Sequence, residues 1–238
     1  MVRRYAFAWC YLGLFVIVEV VYANAGLHGQ DVLATWASTS VANLEHDPLG
    51  TLIASALVGQ GNDFAWPVLI ALALFPANRA LGNARTALVC LAGNVVGSLI
   101  SEGIIAYRVD VGQLPVSYRH LIDVGPSYVV LAATVAALIC GGWLARVSAG
   151  FVLGVLVFIG DIFGGLSTLD VAAVGHLTST ITALACVTVL RYRQYRRLHP
   201  AARPGPAAHS GPAAHSGPPG YPGPAARPGY PGPAPNAE

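Results

Sequence analysis

The chain has 238 residues, of which 55% are hydrophobic and only 10% charged, with a net charge of +2 and no lysine among its 13 basic residues. That balance excludes the water-exposed surface of a globular protein this size and describes an integral membrane protein. No phosphate loop, metal-ligand cluster or nucleic-acid motif occurs, so no cofactor, no metal and no nucleic acid is expected.

In chain order, apolar stretches long enough to cross about 30 Å of hydrocarbon as helix lie near 5–22, 64–81, 86–107, 127–144, 148–166 and 171–190. The first follows Arg3-Arg4 and precedes Ala23-Asn24-Ala25, the small-x-small form of a signal-peptide cleavage site. Its length and its Glu19 favour a retained helix. Residues 26–62 mix Trp36, Leu44, Leu49, Leu52 and Ile53 with Asp31, Glu45 and Asp47, which predicts an interfacial amphipathic element in a long outer loop. Asn43, or Asp47 ahead of Pro48, is the expected cap of a helix running through Leu57.

The third span carries Gly93, Gly97 and Ser101, one small residue every fourth position, which suits close helix packing where lipid removes the hydrophobic drive. Gly150 and Gly154 in the fifth span, and Ser179 and Ala183 in the sixth, read as the same device. Glu19, Asn94, Asp161 and His176 are expected at membrane depth. Each costs a few kcal/mol unpaired, about 2.5 to 3.5 for a central carboxylate, so they should face the bundle interior or the interface. Cys10, Cys90, Cys140 and Cys186 have neither disulfide nor metal spacing and read as small buried hydrophobes.

After Pro200 the composition turns to Pro, Gly and Ala, with Gly-Pro-Ala-Ala-His-Ser at 205–210 repeated at 211–216. Such a segment cannot bury a core and reads as a disordered cytoplasmic extension. The domain organisation expected is a membrane domain over 1–192 and a basic, then Pro/Gly/Ala-rich tail over 193–238. Arginines 3, 4, 79, 85, 146, 191, 193, 196 and 197 fall on one side of a six-span topology, and most carboxylates on the other. The positive-inside rule then puts both termini in the cytoplasm, as expected of a chain in a plasma membrane. The stretch from Arg191 to Arg197 reads as a cytoplasmic stop and anionic-lipid anchor.

Ser127, in Gly125-Pro126-Ser127-Tyr128 at the start of the fourth span, and His176, five residues into the sixth, lie at similar depth below the outer side. A hydroxyl nucleophile and an imidazole base at one level form a candidate catalytic pair. Pro126 suits a first helical turn and Gly125 permits a tight entry, leaving the Ser127 N–H available to an oxyanion.

These residues resemble the rhomboid family of intramembrane serine proteases. That family has Gly-x-Ser-Gly opening the fourth of six helices, and in the sixth a His followed by small residues. Here Gly125-Pro126-Ser127 and His176-Leu177-Thr178-Ser179 occupy those places, and Asn78-Arg79-Ala80-Leu81-Gly82 followed by Arg85 looks like the family's junction between second and third helices. The resemblance, covering about 5–190, implies an all-α, six-transmembrane-helix rhomboid-like bundle, with Ser127 as nucleophile and His176 as general base acting without a third carboxylate. Two departures stand against activity. Trp66-Pro67-Val68-Leu69-Ile70 lacks the second-helix His and Asn that help hold the oxyanion, and Tyr128 replaces the glycine after the nucleophile, where its ring would fill the site or its hydroxyl serve as donor.

Three functions follow. The first is a serine protease cleaving single-pass transmembrane proteins near the outer leaflet, and the second a pseudoprotease binding such proteins as clients. The third is a transporter using Glu19, Asn94 and Asp161, which lacks the inverted repeats such proteins carry. Membrane lipid is a partner in all three.

Overall fold

A computed structural model describes residues 2–59 and 65–198, and within them every regular element is helical. In chain order these are α1 (Ala6–Asn24), α2 (Gly26–Ala37), α3 (Val41–His46), α4 (Pro48–Ala54), α5 (Ala65–Leu81), α6 (Asn83–Asp110), α7 (Ser127–Cys140), α8 (Trp143–Phe158) and α9 (Val171–Leu198). The six longer helices α1 and α5–α9 make an all-α membrane bundle. Arg3–Asn24, α6 and α9 are each long and apolar enough to cross a membrane. Helices α5, α7 and α8 are shorter but equally apolar in character.

Why α1 sits at the margin follows from its composition. It is apolar on every side, yet it buries only Ala8, Phe15 and Glu19 and leaves Trp9, Ile17, Val20 and Val21 exposed. A helix with such a surface is stable only against lipid. Its start is tied to the junction of α5 and α6: Asn78 Nδ2 donates to Arg4 O (2.6 Å), Asn83 Nδ2 to Arg3 O (2.8 Å), and the Phe7 N–H to Asn83 Oδ1 (3.2 Å). Gly82, at φ +82°, makes the turn, so the motif from Asn78 to Gly82 is the expected junction.

Pro76 lies inside α5 and withholds the N–H that would bond Leu72 O four residues back. Ser148 on α8 supplies the missing donor, its hydroxyl reaching Leu72 O at 2.7 Å. The pairing of α5 with α8 is thus fixed by a defect in the α5 ladder.

Helix α7 is the axis of the bundle, with every residue from Tyr128 to Ala137 buried among α5, α6, α8 and α9. Its 14 residues span only about 21 Å, less than a hydrocarbon core of about 30 Å. Tyr128 at its start packs beside Gly97 of α6, whose helix continues thirteen residues, or about 20 Å, to Asp110. The beginning of α7 is therefore sunk well below the end of α6. Ser127 lies at the bottom of that step.

Segment 26–57 forms three short helices followed by a 3-10 turn over Ser55–Leu57. Asp47 caps α4 by accepting the Gly50 N–H at 2.9 Å, with Pro48 in the first turn, as expected. Asn43 is not a cap: Ser40 caps α3, and the Asn43 amide instead donates to Thr35 O and Ser38 O. Across this end of the bundle Arg119 pairs with Glu45 and with Asp110.

Three other expectations change. The fourth span ends at Cys140 rather than running to 144, because Gly141 turns the chain: a methyl there would overlap the Ala137 carbonyl and come within 2.5 Å of Ala145 Cβ. Helix α8 ends at Phe158, so Asp161 sits exposed in the following turn rather than within the span. Around Gly150 and Gly154 of α8 lies open space with no neighbouring helix. The basic stretch from Arg191 to Arg197 continues α9 as helix, and the tail read as disordered lies outside the described residues.

Candidate active site

Ser127 is the first residue of α7, and the chain entering it is held from two sides. Gly125 has φ +151°, a value that disfavours any side chain, and its N–H donates to Ser55 O at 2.8 Å. Ahead of it, the Asp123 N–H donates to Ser38 Oγ (2.9 Å), and the Thr39 N–H to Asp123 O (3.0 Å). Segment 121–125 is thus laced to the buried Ser38-Thr39-Ser40 run. Pro126 follows in the N-cap position, and the first helical bond runs from the Val130 N–H to Pro126 O (2.9 Å).

His176 stands in the second turn of α9. Asp170 caps that helix, its Oδ1 accepting the Ala172 and Ala173 N–H groups at 3.1 and 3.3 Å. Close approach of α9 to α6 and α7 is set by small residues: a methyl on Gly97 would come 3.1 Å from Gly175 O, and one on Gly175 would overlap the Tyr128 hydroxyl. The Ser179 hydroxyl donates to Tyr128 O at 3.0 Å, locking α9 to the first turn of α7.

The two predicted residues meet. Ser127 Oγ lies 2.9 Å from His176 Nε2, and His176 Nδ1 lies 2.8 Å from Ile162 O. A carbonyl only accepts, so Nδ1 carries the proton, and Nε2 offers its lone pair to the serine hydroxyl. That tautomer is the one a general base requires. His176 is 6% exposed while Ser127 is half-buried, so the serine is the more open member of the pair.

Tyr128 does not fill the gap between them, and its hydroxyl is turned to another partner. Its ring meets His176 edge-on, with centroids 5.0 Å apart at 77°, and its hydroxyl donates to Asp123 Oδ2 at 3.0 Å. An aromatic pair of this geometry contributes about 0.5 to 1.5 kcal/mol beyond the area it buries. Burial pushes the Asp123 carboxyl above its ordinary range; bonds from Tyr128 and Thr39 pull it back, and the nearby Asp170 charge adds to the rise.

Two of the three side chains of the transporter reading are engaged by backbone, and the third, Asp161, lies in the exposed turn after α8. Glu19 accepts the Gly59 N–H at 2.5 Å, and Asn94 Nδ2 donates to Leu52 O at 2.9 Å, so both tether the segment between α1 and α5. Glu102 on α6, which the sequence reading passed over, is 2% exposed and turns its carboxylate toward the Val41 N–H at the start of α3, without reaching hydrogen-bond geometry. Its signal was present as a carboxylate beside Ser98 and Ser101 in an apolar run. Among the described residues no three His, Cys, Asp or Glu side chains converge as metal ligands.

The model of one family, described as rhomboid-like protein, matches residues 1–196. No curated protein matches the chain. No solved structure matches it either.

Proposed function

The chain belongs to the rhomboid-like protein family, a family of membrane proteins, and from that premise we propose that it is an intramembrane serine protease in which Ser127 attacks and His176 serves as base and then acid. The observation that carries this is the 2.9 Å contact from Ser127 Oγ to the unprotonated Nε2 of a histidine whose other nitrogen is fixed on Ile162 O. Attack on a carbonyl transfers the serine proton to Nε2 as the Oγ–C bond forms. The imidazolium returns that proton to the leaving amine as the peptide bond breaks, and water then releases the acyl group by the same two transfers in reverse order.

The developing oxyanion needs donors, and Ile70, buried in the core, stands in a stretch of α5 that brings neither His nor Asn. The start of α7 offers a substitute. The N–H groups of Ser127, Tyr128 and Val129 precede the first helical hydrogen bond and point out of a helix N-terminus, where negative charge is favoured. A backbone oxyanion site needs no side chain from α5. The sunken start of α7 also suits a substrate helix partly drawn from lipid, its peptide bond presented below the membrane surface. The arginine distribution supports an orientation with both termini in the cytoplasm and the site opening to the outer side of a plasma membrane.

The test is covalent labelling of the full chain in liposomes by a fluorophosphonate, beside cleavage of a fluorogenic transmembrane peptide. Wild type should label and cleave, Ser127→Ala should do neither, and His176→Gln should lose roughly six orders of magnitude in rate. Equal labelling of wild type and Ser127→Ala overturns the reading. The missing side-chain donors of α5 favour a second one, a client-binding pseudoprotease. Its signature is the absence of labelling and cleavage in wild type while transmembrane segments are still crosslinked equally by wild type and Ser127→Ala.

A further inference from the structure

The opposite end of the bundle carries a feature that proteolysis does not use. A cavity of about 430 Å³ opens between the start of α1, the end of α5 and the turn from α7 to α8, lined by Arg4, Arg79, Gly142, Trp143 and Leu144 among others. Its two guanidinium groups are exposed and unneutralised: among the described residues, the ion pairs are those of Arg119 at the other end, and Arg4 has only the Tyr5 ring, 5.9 Å away. Nine arginines gather at this end of the described bundle without one carboxylate.

Within the cavity the positive field has a direction. Gly142 is the N-cap residue of α8 and has no side chain to cap it, and the first helical bond runs from the Arg146 N–H to Gly142 O. The N–H groups of Trp143, Leu144 and Ala145 therefore lack intrahelical acceptors beside the two arginines. An anion with several acceptor oxygens answers both.

Trp143 and Leu144 narrow the ligand further. They are 78% and 77% exposed at the rim, an indole and an isobutyl group where apolar helices meet the aqueous end. A soluble anion gains nothing from them. A molecule with a charged head and an acyl body buries them, and tryptophan at this level is the usual neighbour of lipid headgroups. We propose that this cavity binds the phosphate of an anionic phospholipid, held by Arg4, Arg79 and the open start of α8, with its acyl chains along Trp143 and Leu144. Basic pockets between spans on the cytoplasmic side are suited to such headgroups. This site is separate from the basic stretch of α9 and does not depend on the proteolytic reading.

The experiment titrates the purified full chain in neutral detergent with phosphatidylglycerol or phosphatidylcholine and counts bound lipid by native mass spectrometry. Phosphatidylglycerol should bind in preference. Arg4→Gln with Arg79→Gln should weaken it roughly thirtyfold, at about 1 kcal/mol per arginine. Arg193→Gln with Arg197→Gln, equal in charge loss at the same end, should have little effect. Gly142→Asp guards against misfolding, since a side chain there meets open space and a carboxylate at an N-cap favours the helix. It should keep the fold and still weaken phosphatidylglycerol binding. Equal losses in the two arginine pairs, unchanged binding in Gly142→Asp, or displacement by inorganic phosphate at the lipid's own concentration would each overturn the proposal.

Discussion

Helices α6 and α8 carry the same spacing of small residues, Gly93 and Gly97 in one and Gly150 and Gly154 in the other, and the fold uses them in opposite ways. On α6 the stripe is a seam. Methyls there would come 2.8 Å from Ala132 Cβ and 3.1 Å from Gly175 O, so α7 and α9 approach as closely as backbone allows. On α8 the glycines face open space, and the helix packs instead through Ala149, Val152 and Leu156 on its other side. A small-residue stripe permits close approach, and a seam forms only where a second helix offers a matching stripe. Gly175, Ser179 and Ala183 of α9 do so for α6.

The comparison breaks most visibly at Gly97. Gly97→Leu drives a side chain into the Gly175 backbone and the Tyr128 ring, and should cost about 3 kcal/mol or more. Thermal unfolding in detergent reads that loss, and fluorophosphonate labelling should vanish with it because the imidazole rests on the same contacts. A variant as stable as wild type would show that the seam is not tight. Gly175→Ala comes next: its methyl overlaps the Tyr128 hydroxyl, which must move off Asp123, at about 1 to 3 kcal/mol. Ser148→Ala removes the donor to Leu72 O at the α5–α8 contact and should lower stability by about 1 to 2 kcal/mol. If Ser148→Ala unfolds as wild type does, the Pro76 defect is satisfied in another way. The smallest effect belongs to Gly154→Ala, which meets nothing and gains helix propensity, a stabilisation of up to about 1 kcal/mol. Destabilisation by Gly154→Ala would reveal a neighbour on that face.

Much of the fold was legible because lipid makes length and apolarity decisive. The six apolar stretches correspond to α1 and α5–α9, and Gly82 and Asp47 mark the turn and cap expected of them. The errors arose where hydropathy ran on through a turn. Trp143 and Leu144 are as apolar as the helix before them, so only the close turn at Gly141 reveals that α7 is short. Asp161 reads as part of the fifth span by the same smoothing, though the helix ends at Phe158. Glu102 was missed for the converse reason, one carboxylate diluted in an apolar window.

For the site, sequence supplied the two residues and their order. It could not supply the role of Tyr128, whose hydroxyl is directed by Asp123, a residue in a loop, and by the room left at Gly175 on another helix. Nor could it show that Asn94 and Glu19 are occupied by backbone groups of the segment between α1 and α5.

By itself, then, the sequence determined that this is an all-α membrane protein with a serine and a histidine at one level, since apolar length and polar position are properties of the chain taken one residue at a time. Tertiary structure alone decided that the pair is in contact with its tautomer fixed by Ile162 O, that one glycine stripe is a seam and the other a bare face, and that arginines from two elements border an uncapped helix start. Each depends on which surfaces face each other, and in a bundle where lipid competes equally for every apolar face, only close packing and buried polar ties select among them.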